Sequence, residues 1–384
     1  MIGIDRLAEL TTDLAEDEVA LVSTASSLVP ALRANADTAD AVRTLPDETV
    51  TAMRKAGLFR LATPRAYGGA QAGSRAVTAI AAEVGRGCSS AAWVLTVFYS
   101  GGLATWLFPE AVRRRVWETD PDATVCGSSS GRAPVRQVDG GYLLSGRWGW
   151  ASGVHHATWI VLDIVGENST DRGLALVPTR DLTIEDTWHM AGMRGTGSNT
   201  VVADKFHVPQ EQVLFLSRTA ASVPGVTLPR PQGLDSTLAG PLLGMGMAVY
   251  DHVVAKLSEG RRLASGIRAI DVPGIQTGVA DAAMLIDSAI MQAARSAQAV
   301  DRAMRTGERL TPFEEVRVRV DAGIAARQVR KAVDKLLDVG GAGCFAESCP
   351  AQRIWRDLGT AIRHPVYVLE VSRERIARLL LDVD

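Results

Sequence analysis

Apolar residues recur along this chain in three successive rhythms, and each rhythm predicts a type of element. Up to about residue 122 the spacing is helical. Leu45-Pro46-Asp47-Glu48 opens one helix, since a proline at the first helical position gives up no needed N–H, and Gly57 closes it. Tyr67-Gly68-Gly69 reads as a turn, residues 76–117 carry more helical pattern, and Pro109 starts a new segment. From about 123 to 215 short runs of strand length take over: Trp159 to Leu162, Leu174 to Val177, Thr200 to Val202 and Phe206 to Val208. Val135 to Val138, Asp139-Gly140-Gly141 and Tyr142 to Leu144 read as a hairpin, with Asp-Gly supplying the positive φ of a tight mirror-image turn. After about 235 the helical period returns. Val279, Ala283, Ile286, Ile290, Ala293, Ala297, Val300 and Met304 follow a 4-3-4-3 spacing, the seam of a bundle whose small residues allow close approach. Gly307 stops that helix, and Thr311-Pro312-Phe313-Glu314 reads as a capping box opening the next, which runs to Gly340-Gly341. Two more apolar helical stretches lie at 238–257 and 366–381.

The predicted fold is therefore α+β in three blocks: a helical domain over 1–122, a small β-barrel or sandwich domain over 123–232 and a four-helix bundle over 233–384. A doubly wound nucleotide-binding sheet is excluded, and no G-x-G-x-x-G or Walker motif follows a strand. Gly192 to Ser198 looks like a phosphate loop but lies between strands. With 41 Lys+Arg against 43 Asp+Glu the net charge is −2, which speaks against a nucleic-acid or polybasic membrane surface. No apolar run is long enough for a bilayer. The opening MIGIDRLAELTTDLAEDE carries acids and no apolar core, so it is not a secretory signal, and a cytoplasmic location is expected. Cys88, Cys126, Cys344 and Cys349 show no metal spacing, and the Cys344–Cys349 gap reads as incidental rather than as a disulfide.

No H-E-x-x-H, G-x-S-x-G or metal cluster is present, and His155-His156 are adjacent rather than a helical turn apart. Any hard chemistry then comes from a bound cofactor. Three stretches are candidates. In Ser145 to Gly153 two tryptophans, Trp148 and Trp150, stand at i,i+2, so on a strand both face one way beside Ser152. From the residues alone this reads equally as core with a turn or as a wall for an aromatic ring. Cys126 to Gly131 is a small polar loop, and Met193 to Ser198 a second. Converging on one aromatic wall, they would suit a heteroaromatic ring with several carbonyls and nitrogens.

These motifs, taken in order, resemble the acyl-CoA dehydrogenase fold. Leu58 to Gly69 is similar to its GL…P…YGG segment, Gly146 to Gly153 to its flavin signature, and Trp188 to Pro209 to its GMR-type loop and strand. Gln276 with Ala280-Asp281, Gly340 to Gly343 and Gln352 to Asp357 resemble later segments of the family. The resemblance implies that Trp150 packs on the isoalloxazine and Ser152 bonds near its N5. It implies that Ser128, Ser130, Arg194, Thr196 and Ser198 hold the pyrimidine edge or the substrate, and that Gly340-Gly341 approach the pyrophosphate across a subunit interface.

One departure redirects the chemistry. Dehydrogenases of the family need a carboxylate base, often after the Arg-Asp pair; here Arg356-Asp357 leads instead to Arg363-His364-Pro365, and Glu370 lies too far along, facing a helix. His364, SGRWGWASGVHHATW, GMRGTGSNTV and SSAAWVL (89–95) resemble the two-component flavin-dependent monooxygenases built on that fold. That resemblance implies reduced FAD, ahead of FMN, delivered by a separate NAD(P)H:flavin reductase, with O2 as co-substrate and no metal, and the small-residue bundle seam favours a homotetramer. It implies oxygen transfer from a C4a-hydroperoxyflavin to an aromatic or polycyclic small molecule such as an indole or polyketide. Ser152 would bond N5, His364 would act as donor or base, and Phe98, Tyr99 and Trp148 would wall the pocket. Phenol-hydroxylating relatives place a His near the position that is Gly101 here, which turns the reading away from simple phenols. The alternatives are N-oxygenation of an amine or amino sugar, an acyl-CoA dehydrogenase with a relocated base, and a non-catalytic assembly protein.

Overall fold

The computed structural model describes residues 7–167, 171–215 and 236–383. The expected boundary at 232/233 and the opening MIGIDR lie outside them. The first block holds α1 (Ala8–Thr11), α2 (Glu16–Val42), α3 (Asp47–Lys55), α4 (Ser74–Gly87), α5 (Ser89–Thr105) and α6 (Glu110–Trp117). Strands follow: β1 (Val125–Val138), β2 (Gly141–Ala151), β3 (Trp159–Gly166), β4 (Arg172–Pro178), β5 (Thr183–Glu185), β6 (Asn199–Pro209) and β7 (Val213–Phe215). They form one sheet in the order β5-β6-β2-β1-β3-β4-β7, antiparallel except for the parallel pair β1 and β3. The last block is α7 (Ala239–Ser258), α8 (Pro273–Thr306), α9 (Pro312–Gly340), α10 (Pro350–Ala361) and α11 (Leu369–Leu381). This is the acyl-CoA dehydrogenase-like architecture that the motifs imply. No described helix is long and apolar enough to cross a membrane.

The 139–141 hairpin joins β1 to β2, but only Gly140 is left-handed (φ +72°); Asp139 keeps a negative φ, so the turn is not the mirror-image form. Cys126 to Gly131 is strand rather than loop: it forms the first half of β1, whose register against β3 shifts between Ser128 and Ala133. The capping box at Thr311 is present, with Glu314 N donating to Thr311 Oγ1 at 3.2 Å and Thr311 N donating to Glu314 Oε2 at 2.9 Å. Ile286, Ile290, Ala293, Ala297 and Val300 of the predicted seam are buried. Ala282, Ala289 and Ala303 join them, because α8 packs against both α9 and α7 and needs a wider stripe.

Two apolar cores result. Leu32, Ile80, Leu95, Phe98, Leu144 and Ile160 belong to one, shared by the first helices and the sheet. Leu243, Met245, Ile286, Val329 and Leu336 anchor the other, within the bundle. Helices α4 and α5 contribute to both. A helix apolar on all sides must be wrapped by protein, and α5 (SSAAWVLTVFYSGGLAT) is such a helix. It therefore stands where sheet and bundle meet, and the candidate site forms at that junction.

Candidate active site

At the end of β2 the strand alternation breaks. Trp148 pairs with Val201 and Ala151 with Asn199, so three steps on β2 face two on β6: a bulge. Trp150 carries it in the left-handed region (φ +60°), uncommon for a bulky residue. The bulge overturns the expectation that both tryptophans share a face. Trp148 turns inward, fully buried, and its Nε1 donates to Asp163 O at 2.8 Å; it is sheet core, not pocket wall. Trp150 turns out, 61% exposed, its ring meeting Trp188 edge-on with centroids 5.1 Å apart. Ser128 and Ser130 hold the bulge from below, both hydroxyls donating to Gly149 O at 2.5 and 2.6 Å.

Past the bulge lies a chain of buried hydroxyls. Thr196 donates to Met193 O at 2.8 Å and so spends its one proton. Ser198 then donates to Thr196, and Ser152 to Ser198, each at 2.7 Å. Trp93 Nε1 on α5 donates to Ser152 Oγ at 3.3 Å. The direction is forced: Ser152 gives its proton inward and keeps one lone pair, so toward any incoming group it accepts. Met193 O is the hub, since Trp188 Nε1 also donates to it at 2.9 Å. Met193 N donates to Asp357 Oδ1 on α10 at 2.6 Å. Burial pushes the Asp357 carboxyl up to about 6. Asp357 thus fixes the loop that carries both the hydroxyl chain and the edge of Trp188.

His364 approaches from the α10–α11 connection. Its ring meets Trp93 edge-on with centroids 5.6 Å apart, and Val366 N donates to its Nδ1 at 3.3 Å. With Nδ1 accepting, the neutral ring carries its proton on Nε2. His364 is exposed, yet the protein packed against its ring, with no charged neighbour, pushes its pKa down to about 4. Neutral His364 therefore offers an N–H donor.

Other expected residues take different places. Arg194 turns away to the last turn of α2, its Nε donating to Asp40 O at 2.8 Å and its Nη1 to Met190 O at 3.3 Å, where helix-end carbonyls favour a cation. Phe98 packs beside Gly153, next to Ser152. Tyr99, about 100° further round α5, donates its hydroxyl to Ala72 O at 3.0 Å inside the helical core and does not wall the site. At Gly101 an added Cβ would fall 2.1 Å from Val125 O, so no side chain fits there. Gly340 and Gly341 form a separate group at the end of α9, where Gly341 (φ +71°) lies beside Arg261. His155 and His156 turn to separate partners, Asn199 and Thr44. Glu370 is exposed and paired with Arg327 at 2.8 Å. Among the described residues no group of three His, Cys, Asp or Glu is placed for a metal. The spacing did not single out Trp188, Asp357 or the Met193 carbonyl, and Trp93 stood out only as part of SSAAWVL.

The arrangement fits a reduced flavin. An aromatic face held open by backbone geometry, beside a buried hydroxyl oxygen able only to accept, suits a planar ring that presents an N–H. Comparison with known proteins agrees. Family models described as "Acyl-CoA dehydrogenase, N-terminal domain" and "Acyl-CoA dehydrogenase, C-terminal domain" match residues 15–108 and 236–368. The oxygenase subunit HsaA of a flavin-dependent monooxygenase from Rhodococcus jostii is 33% identical over 348 residues, 86% of this chain and 90% of that protein. The oxygenase component of an FADH(2)-dependent resorcinol hydroxylase from a Rhizobium strain is 30% identical over 368 residues, 90% of each. The structure of XiaF from a Streptomyces species, in complex with FADH2 and glycerol, superposes with a TM-score of 0.91 at 32% identity, covering 96% of each chain.

Proposed function

This chain belongs to the acyl-CoA dehydrogenase family, as an oxygenase component of its flavin-dependent monooxygenases, and on that premise we propose that it hydroxylates an aromatic or polycyclic small molecule. The observation that carries the reading is the one-way hydroxyl chain ending at Ser152 beside the open face of Trp150. A reduced flavin bound there supplies two electrons and activates O2, one oxygen atom going to the substrate and the other leaving as water. We take that flavin to be FADH2, which is named for both the Rhizobium hydroxylase and the Streptomyces structure, each at least 30% identical to this chain.

The chain's own groups have distinct tasks. Trp150 would stack on the ring. Ser152 Oγ would accept a ring N–H and hold its proton in place. Trp93 and Phe98 are buried beside Ser152 and would keep water from that end of the site, where water would divert the oxygen chemistry. His364 Nε2–H donates to oxygen on the substrate side. Gly340-Gly341, with Arg261 beside them, offer a bare turn and a cation suited to the diphosphate of a cofactor seated in a neighbouring copy. Exposed Met284, Met291, Leu380 and Leu381 on the bundle are consistent with a homotetramer. The reductants are separate NAD(P)H:flavin reductases, as the names "oxygenase subunit" and "oxygenase component" imply for the relatives.

The test couples the chain to a generic flavin reductase, NADH and isotopically labelled O2, with a panel of phenols, indoles and polycyclic aromatics. The expected result is one labelled oxygen in a hydroxylated product. Hydrogen peroxide alone across the panel, or anaerobic bleaching of bound flavin by an acyl-CoA thioester, would overturn the reading.

A further inference from the structure

Away from Trp150 and Ser152, His252 meets the Cys344–Cys349 segment where α7, α9 and α10 converge. Cys349 is the N-cap of α10, a 12-residue helix, and is half-buried. Its Sγ lies 3.3 Å from His252 Nε2 on α7. Cys344, five residues earlier in the short turn after Gly341, is buried, and Cys349 is among the neighbours that raise its thiol pKa. A spacing that reads as incidental in the sequence therefore brings the two thiols near each other in the fold. Two turns, Cys344 N to Gly341 O at 2.9 Å and Cys349 N to Ala346 O at 2.8 Å, bring the chain back on itself between them.

We propose that Cys344 and Cys349 form a peroxide-responsive dithiol, in which Cys349 is the reacting thiol, His252 its base and Cys344 the resolving thiol. The chemistry follows from the placement of the base and of the resolving thiol. The imidazole at 3.3 Å can take the thiol proton. Burial, with Lys256 and Arg33 nearby, pushes the His252 pKa down, so the ring is neutral near pH 7 and able to accept. Cys344 is the reverse case: burial and the neighbouring Cys349 push its thiol up, so it stays protonated until a sulfenic acid forms beside it. Cys349 thiolate attacks one oxygen of hydrogen peroxide, giving Cys349–SOH and, with the proton returned by His252, water. Cys344 then attacks that sulfur, the S–S bond forms and the hydroxyl leaves as a second water. Two thiols and one peroxide become one disulfide and two waters. Cys88 and Cys126 do not compete, since burial raises both thiols, to about 11 for Cys88.

The position gives the pair a consequence. Cys344 Sγ packs where a side chain on Gly340 would stand, 2.1 Å from its Cβ position, so shortening the sulfur contact pulls on the Gly340-Gly341 turn.

The experiment treats the full-length chain with hydrogen peroxide, blocks free thiols and digests with trypsin. Both cysteines fall in one tryptic peptide, Leu336 to Arg353, so the bond registers as a loss of two hydrogens from that peptide. That loss, reversed by dithiothreitol, is the expected result. In Cys344→Ser the sulfenic acid at Cys349 should persist and be trapped by dimedone. In His252→Gln the disulfide should form about tenfold more slowly. A peptide that keeps both thiols, that passes straight to sulfinic acid, or that links Cys349 between two chains would overturn the proposal. Added peroxide drives the test, so its outcome does not depend on the substrate of the flavin site.

Discussion

The two sides of the flavin site are built on opposite plans. On the sheet side every proton has a destination: Trp93 to Ser152, Ser152 to Ser198, Ser198 to Thr196, Thr196 to Met193 O. On the bundle side the His364 imidazole accepts one hydrogen bond, at its Nδ1, and leaves Nε2–H uncommitted beside Trp93 and Tyr367. A saturated network cannot rearrange cheaply, because each broken link strands a buried polar group at about 1–3 kcal/mol. The sheet side therefore holds geometry, and the bundle side meets what arrives.

The largest break in that contrast is expected at Ser152. Ser152→Ala removes the acceptor and cuts the chain at its open end. The share of NADH recovered as hydroxylated product should fall by roughly 10²-fold, the scale for losing one aimed hydrogen bond at a reacting centre, with hydrogen peroxide making up the difference. Unchanged coupling would mean that Ser152 does not touch the cofactor. His364→Ala should act more mildly and differently. Product formation drops by about tenfold or more while flavin affinity holds, because the lost donor belongs to the substrate side. Equal loss of both would make His364 a structural residue.

The tryptophan pair sharpens the comparison at smaller scale. Trp148→Ala opens a cavity in the sheet core and should cost about 3–5 kcal/mol of stability, read from urea midpoints. Trp150→Ala, two residues away, should leave stability within about 0.5 kcal/mol and weaken flavin binding several-fold. If both variants lose stability alike, Trp150 is not a platform.

That pair also shows what the sequence carried. The helix, strand and helix blocks, the capping box at Thr311 and the seam around Ile290 were legible, since periodicity and caps are local. The bulge at Trp150 was not, because one extra residue reverses every side chain after it and only the pairing with β6 reveals it. Arg194 misled for a related reason: its motif points to a ligand, yet its donors are spent on the Asp40 carbonyl of α2, far away in sequence, and on Met190 O of its own loop. Asp357 could be placed as part of an Arg-Asp segment, but its role as anchor of the Met193 loop depends on a contact across 164 positions. Contacts that close a loop onto a distant helix leave no period to read.

A last effect concerns acid. Burial holds Asp357 near 6, above its ordinary 3.8. Between those values the folded chain binds a proton that the unfolded chain has lost, so this group's contribution to stability grows as pH falls from about 6 to 4. His364 runs the other way. Its pKa falls from 6.5 to about 4, so across that span the unfolded chain takes up a proton the folded chain refuses, and its contribution shrinks as pH falls. The two groups thus oppose each other over the same window. Asp357→Asn should steepen the loss of stability between pH 6 and 4 relative to the parent, by up to roughly 3 kcal/mol. His364→Gln should flatten it, by less, since one side of the imidazole stays in water and the penalty is screened. Urea midpoints at pH 7, 6 and 5 for the three chains measure both slopes. Parallel lines for the parent and His364→Gln would show that His364 titrates normally, and with that the neutral Nε2–H donor would lose its physical basis below pH 6.5.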